Sequence, residues 1–307
     1  ADWFRCIVDE NYLSTHLSFS LALLGPLYSV WDHPFLLSLV QWLMMVAGAL
    51  FLGLALKKSN APLWVAAGIM LFFAAYRYTQ GVLLSEFHTV GVYLLLVPWL
   101  YYSCVNAKRW AWLPLLLLLG VREDAFLIVL PLLLYFSVRD KWKTGYILTG
   151  AAILYGILAI TVLYPVINGF SLLARRSGEM NGLASGFFSG KAGLRRASSL
   201  LWTFLPILCF AGRRVLPAVL FPSVALLQCL LSGSATQQAM GSHYGGPVIA
   251  CLAVGIAESI RTTALHKKGD ANKGMAVRLG LLLLVTGVFH VHAGFLFFGR
   301  DNCEVYQ

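Results

Sequence analysis

Long apolar runs separated by short polar breaks make up most of this chain. The runs cover 34–56, 62–84, 89–105, 110–121, 125–138, 147–167, 197–212, 215–231, 245–260 and 279–298. They are continuous, as from Leu115 to Leu119, and lack the period-two alternation of a membrane barrel strand. A helix satisfies its own backbone in lipid, so the pattern predicts an all-α, polytopic integral membrane helical bundle with about ten transmembrane segments. Several runs are shorter than the roughly 20 residues of a perpendicular crossing. A further stretch, 17–31, is broken by Gly25-Pro26 and reads as an interfacial or re-entrant helix. No repeat, low-complexity tract or soluble domain interrupts the series, so 1–307 is expected to form a single transmembrane domain. The chain opens at Ala1, not Met, and is expected to be a fragment or a trimmed chain.

Composition supports this reading. The 307 residues are 59% hydrophobic and only 12% charged, about half the charged share of an ordinary soluble domain. The formal charge of +10 lies in short clusters between apolar runs, the pattern that orients membrane helices, and not in a face suited to nucleic acid. The six cysteines show no CxxC spacing, and most lie in apolar runs as buried thiols.

If 34–56 runs from outside to inside, fourteen of the 23 Lys and Arg fall on inner loops. These are Lys57, Lys58, Lys108, Arg109, Arg139, Lys141, Lys143, Arg213, Arg214, Arg261, Lys267, Lys268, Lys273 and Arg278. A single helix over 110–138 would bury Arg122-Glu123-Asp124 in mid-span, at a cost of several kcal/mol. A hairpin is therefore preferred, with that turn below the outer surface and facing protein or a watery cavity.

In this topology the unusual ionisable residues share the outer face. They are Asp9 and Glu10, His16, Glu86 and His88, Arg122-Glu123-Asp124, a basic extracytoplasmic loop over 168–199 with Arg175, Arg176, Arg195 and Arg196, and His243-Tyr244. Arg77, within an apolar run, is the expected ion-pair partner of Glu86. The inner face shows only ordinary basic loops. Charges at membrane depth are costly and mark function. Such a set pairs carboxylates that act as general bases with cations that hold a phosphate. The sharpest expectation is that Glu86, His88, Glu123, Asp124 and His243 share one cavity. Glu86 and Asp124, with Glu123, Asp9 and Glu10, are the candidate catalytic carboxylates. His16, Arg77, His88, Arg122, Arg175, Arg176, Arg195, Arg196, His243 and Tyr244 are the candidate substrate contacts. No cofactor is fixed by the sequence; a divalent cation on the carboxylates is the open option.

Several of these motifs carry a resemblance. His16-Leu17-Ser18, Gly25-Pro26-Leu27-Tyr28, Pro34 to Gln41, Glu86-Phe87-His88, Arg122-Glu123-Asp124 and His243-Tyr244 resemble a family of bacterial and archaeal predicted membrane proteins of unknown function, grouped with the GT-C glycosyltransferases. The family pattern reads H-x-S-P, P-L-Y, D-F-H-P, K-E-D and H-Y. The match is good over 14–143 and moderate over 240–256. This chain departs from it with Phe19 and Thr89 for prolines, Glu86 for Asp and Arg122 for Lys, which keeps the charge at both ionisable positions. The resemblance implies a GT-C-like bundle in the cell (plasma or inner) membrane. It also implies a polyprenyl-phosphate-linked sugar as donor, transfer at the extracytoplasmic face, and a catalytic acid in a first outer loop, after a first transmembrane helix expected to be missing here, whose tail would be Asp9-Glu10.

Two other classes fit parts of the pattern. A transporter or lipid-carrier flippase would also want charges in a membrane cavity, but should show inverted repeats. A non-catalytic membrane scaffold would not need charges at depth. Sugar, acceptor and oligomeric state are not written in the sequence.

Overall fold

The computed structural model describes residues 16–59, 61–172, 190–209, 214–240, 242–264 and 271–293. Among them the protein is all helix, without a strand. The helices are α1 (Gly25–Val30), α2 (Pro34–Lys57), α3 (Leu63–Ala75), α4 (Arg77–Leu84), α5 (Tyr93–Asn106), α6 (Trp112–Leu119), α7 (Ala125–Arg139), α8 (Lys143–Leu158), α9 (Tyr164–Asn168), α10 (Gly190–Leu208), α11 (Leu216–Leu231), α12 (Ala235–Gln238), α13 (Gly246–Ala264) and α14 (Ala271–Ala293). A π-turn over Ala159–Leu163 joins α8 to α9 without a break in the rod.

Four rods are long and apolar enough to cross a membrane: Pro34–Lys57, Thr89–Asn106, Lys143–Asn168 and His243–Thr263. Shorter apolar helices stand beside them, at Phe19–Val30, Leu63–Ala75, Ala125–Arg139, Leu216–Leu231 and Gly274–Gly287. Length and composition thus support four of the ten expected crossings among the described residues. One difference is at 62–84, where Tyr76 adopts an extended conformation and splits the run into α3 and α4. The break frees carbonyls in α3, and side chains of α4 take them up. Thr79 donates to Phe73 O at 2.6 Å and Gln80 to Ala74 O at 2.7 Å, which satisfies backbone that lipid could not. At 110–121 the helix proper is only the eight residues of α6, about 12 Å of rise.

The expected hairpin is present. α6 ends at Gly120, and a turn carrying Arg122, Glu123 and Asp124 leads into α7. The stretch before α1, expected to be interfacial or re-entrant, lies against this turn. Ser20 N–H donates to Gly120 O at 2.8 Å, its hydroxyl to Leu117 O at 2.6 Å, and the Ser18 hydroxyl to Val121 O at 2.8 Å. These bonds fill carbonyls that the end of a helix leaves open. Of the stretch 168–199, read as a loop, the last ten residues belong to α10.

α13 is the central helix, buried on nearly every side from Val248 to Ile260. Its small residues allow close approach, the usual means of packing helices in lipid. A Cβ on Gly255 would come within 2.6 Å of Ala218 Cα on α11. α2 and α5 meet as closely, since a Cβ on Gly48 would run into the Leu94 carbonyl oxygen. Around this core, α2 and α8 turn large apolar side chains outward, among them Leu43, Val46, Leu50, Ile147, Leu154 and Ile157. In a helix of this hydropathy that face contacts the bilayer.

α5, α7 and α13 are tied at one end by an ion-pair knot around Glu258, whose carboxylate has no solvent exposure. Arg261 donates to it at 2.7 and 2.8 Å, Arg139 adds a further bond, and the hydroxyls of Tyr101 and Tyr135 donate at 3.2 and 3.4 Å. Arg139 also pairs with Asp140, which holds Lys108 at 2.8 Å. The expectation that this end would carry only ordinary basic loops is therefore corrected: acids from α13 and the α7 terminus neutralise part of the basic set. Removing one partner of a buried pair strands the others, so Glu258→Gln should lower stability by about 3–5 kcal/mol. Unfolding by denaturing detergent in mixed micelles measures this. Exchanging Arg139 for Met in the same chain should recover part of the loss, and a wild-type curve for Glu258→Gln would refute the assignment.

Candidate functional site

At the other end of α5, α7 and α13 lies a cavity of about 260 Å³. Along α7 and α13 it is about 20 Å from the Glu258 knot at 1.5 Å per residue. Its floor is Tyr93 at the start of α5, and one wall is Arg122 and Asp124 from the hairpin turn. Leu127, Ile128, Ile160 and Leu172 form an apolar wall. Gln228 of α11, Ser232, Gln237 of α12 and Tyr244 complete it. Ile160 reaches the cavity from within the π-turn, a widened register often found at functional sites.

The three charged residues of the turn have separate tasks. Glu123 points away from the cavity and is fully buried. Its carboxylate takes His16 Nδ1 at 3.1 Å and the backbone N–H of Leu17 at 3.2 Å. Burial alone would raise its pKa, but the His16 bond and charge and the nearby Arg122 hold it below the ordinary glutamate value. Glu123 thus fastens the segment before α1 to the turn. Arg122 Nη2 meets Asp124 Oδ2 at 3.0 Å, and this half-buried pair faces the cavity.

A line of rings runs beside it. The His88 and His243 imidazoles stack with centroids 3.4 Å apart and planes at 14°, and His243 lies 4.2 Å from the Tyr244 ring. Gln41 of α2 holds the start of this line. Its amide donates to Val82 O at 2.6 Å and its oxygen accepts His88 N–H at 3.3 Å. On the other side of the site, Met240 is in the left-handed region at φ 50°, a strained conformation for a non-glycine. It is buried against Thr203 just before the Ser242–Gly245 turn that carries His243 and Tyr244. His16 and Arg122 lie within electrostatic reach of both histidines, and Glu86 within reach of His88.

Of the predicted residues, His16, His88, Arg122, Glu123, Asp124, His243 and Tyr244 are gathered around the cavity. Arg122, Asp124 and Tyr244 line it, while the others stand behind it or beside it. Glu86 is exposed at the edge, next to His88. Arg77 does not pair with it among the described residues: it lies over the Tyr78 ring at 5.6 Å, at the far end of α4. Arg195 and Arg196 are on α10, where Arg195 donates to Gln238 Oε1 at 3.2 Å and Arg196, almost fully buried, to Leu230 O at 2.8 Å. Asp9, Glu10, Arg175 and Arg176 are outside the described residues. No three His, Cys, Asp or Glu side chains among the described residues are grouped to hold a metal.

Residues 4–301 match one family throughout. The chain belongs to the DUF2079 family of predicted membrane proteins. No curated protein and no solved structure matches it. Membership of DUF2079 agrees with the apolar outer face of α2 and α8 and assigns no chemistry to the cavity. The polar lining from Tyr93, Gln228, Ser232 and Gln237 gave no signal in the sequence, because Tyr93 and Gln228 are neutral residues inside apolar runs and Ser232 and Gln237 sit in an ordinary polar connection. Glu258 did have one: it is an acid inside an apolar run, three residues before Arg261.

Burial first, then the His16 and Arg122 charges, push the His88 imidazole below its ordinary value of 6.5, and Glu86 opposes them. The unfolded chain therefore takes up a proton near pH 6.5 that folded His88 refuses. Its contribution to stability is complete above that pH and declines as pH falls through it. Thermal unfolding in nanodiscs from pH 7.5 to 5.5 should show a decline that is shallower in His88→Phe. Parallel slopes would exclude this role.

Proposed function

We propose that this chain is a GT-C-like membrane glycosyltransferase that takes a sugar from a polyprenyl-phosphate donor at the extracytoplasmic face. The observation that carries this reading is the double character of the cavity. Arg122 and Asp124 face it on one side, and Leu127, Ile128, Ile160 and Leu172 on another. Such a site suits an amphiphile, with a charged head beside a hydrocarbon tail. Arg122 is suited to grip a phosphate through two parallel N–H bonds. A phosphate drawn to Arg122 competes for the guanidinium and releases Asp124 to serve an acceptor hydroxyl. In the step itself, the acceptor oxygen forms its bond to the anomeric carbon as its proton passes to Asp124. The carbon–oxygen bond to phosphate breaks, and the phosphate leaves with the electron pair against Arg122.

The carrier reading has less support, because the ionisable groups are paired in two knots at opposite ends of α7 and α13 and leave apolar helix between them. For orientation we place the cavity end outside and the Glu258 end in the cytoplasm of a cell-membrane protein. The short basic loops support this, since Lys57, Lys58, Lys108, Arg109, Lys141 and Lys143 then share the inner side.

Purified protein in nanodiscs, supplied with radiolabelled polyprenyl-phosphate hexoses and an extract of envelope acceptors, should transfer label. Asp124→Asn should slow transfer by about 10²–10⁴-fold with donor binding kept, and Arg122→Gln should weaken binding. Transfer at the wild-type rate by Asp124→Asn would overturn the catalytic assignment. In a chain freed of native thiols, an impermeant reagent should label Glu86→Cys on intact cells and Lys141→Cys only after permeabilisation; the reverse pattern would invert the topology.

A further inference from the structure

The cavity holds two polar groups for which the transferase chemistry has no use. Tyr93, at the cavity floor, is fully buried, and its hydroxyl makes no hydrogen bond. Arg122 and Asp124 are in its electrostatic neighbourhood. Gln228, on the facing helix α11, also lines the cavity and bonds to nothing among the described residues. Ser232 gives its hydroxyl to Gln237 Oε1 at 2.8 Å, which fixes the amide of a third neutral group on the same wall. A buried hydroxyl without a partner costs free energy, on the order of 1–3 kcal/mol. Such a cost is kept where a ligand relieves it.

We propose that Tyr93 and Gln228 read the hydroxyls of a single uncharged sugar ring carried on the lipid phosphate. This rests on the transferase reading above and names the class of its donor. Three features support it. The unspent groups are a phenol and a carboxamide, which hydrogen-bond alcohols without asking for charge. The charged lining consists of Arg122 and Asp124, both committed to phosphate and acceptor. The volume of about 260 Å³ is below the usual range for ligand sites, roughly 300–1,000 Å³, and suits one ring in preference to an oligosaccharide. The tail then follows the wall of Leu127 and Ile160 toward the lipid-facing rod of α8.

The test is binding to the whole protein in nanodiscs, with four short-chain probes: bare polyprenyl phosphate, and the same carrier bearing a hexose, a uronic acid or a disaccharide. Wild type should favour the hexose form over the other three. Tyr93→Phe and Gln228→Leu should each lower hexose-form affinity by about three- to tenfold, the loss of one neutral hydrogen bond, and leave bare polyprenyl phosphate unchanged. Thermal unfolding should show Tyr93→Phe at least as stable as wild type, since it removes an unpartnered hydroxyl. Equal loss for bare carrier and hexose form, or none for either, would overturn the hydroxyl reading and spare the transferase. Preference for the uronic acid or disaccharide form would overturn the substrate class. Failure of wild type to bind any polyprenyl phosphate would end both proposals.

Discussion

The arrangement of the site depends on one buried carboxylate. Glu123 has no contact with solvent, so it needs partners, and it finds them in His16 and the Leu17 N–H, more than a hundred residues away in sequence. That demand pulls the segment before α1 onto the hairpin turn, where Ser18 and Ser20 fill the open carbonyls of α6. With Glu123 anchored inward, Arg122 and Asp124 are left on the cavity side of the same turn. Three adjacent charges would be ruinous inside one apolar span. In a turn they can be divided between structure and chemistry.

The same rule governs the opposite end. Glu258 is as deeply buried as Glu123, and there the solution is two arginines and two tyrosines drawn from α5, α7 and α13. The three helices are therefore pinned at a polar knot and open at a polar cavity, with apolar packing between. A pair gripped from several sides specifies register, because slipping one helix by a turn would leave a charge without its partner in a medium of low dielectric.

Much of this was legible in the sequence. Unbroken apolar runs give helices, and the triplet Arg122-Glu123-Asp124 gives the hairpin, since charge cannot remain in mid-span. Of the five residues expected in one cavity, Asp124 lines it, His88 and His243 stack beside it, Glu123 is turned into its own knot with His16, and Glu86 lies exposed at the edge. What was not legible depends on three-dimensional packing. The break at Tyr76 sits in a run that reads as one helix, because the side chains that compensate it, Thr79 and Gln80, are unremarkable locally. Arg196 looks like part of a basic loop, and only the placement of α10 against α11 shows it bonded to the Leu230 carbonyl. Tyr93 and Gln228 are ordinary until the helices that carry them enclose a space.

Two places where backbones come close, Gly48 on Leu94 and Gly255 on Ala218, have a mechanical consequence. Each glycine is a notch seating the main chain of its neighbour, so at that point no side chain lies between the two rods to act as a bearing. Sliding of α2 on α5, or of α11 on α13, would drive main chain into main chain at those notches. Rigid frames of this kind concentrate whatever compliance the molecule has in thinner members, such as the short helix α4 and the π-turn that widens the rod of α8.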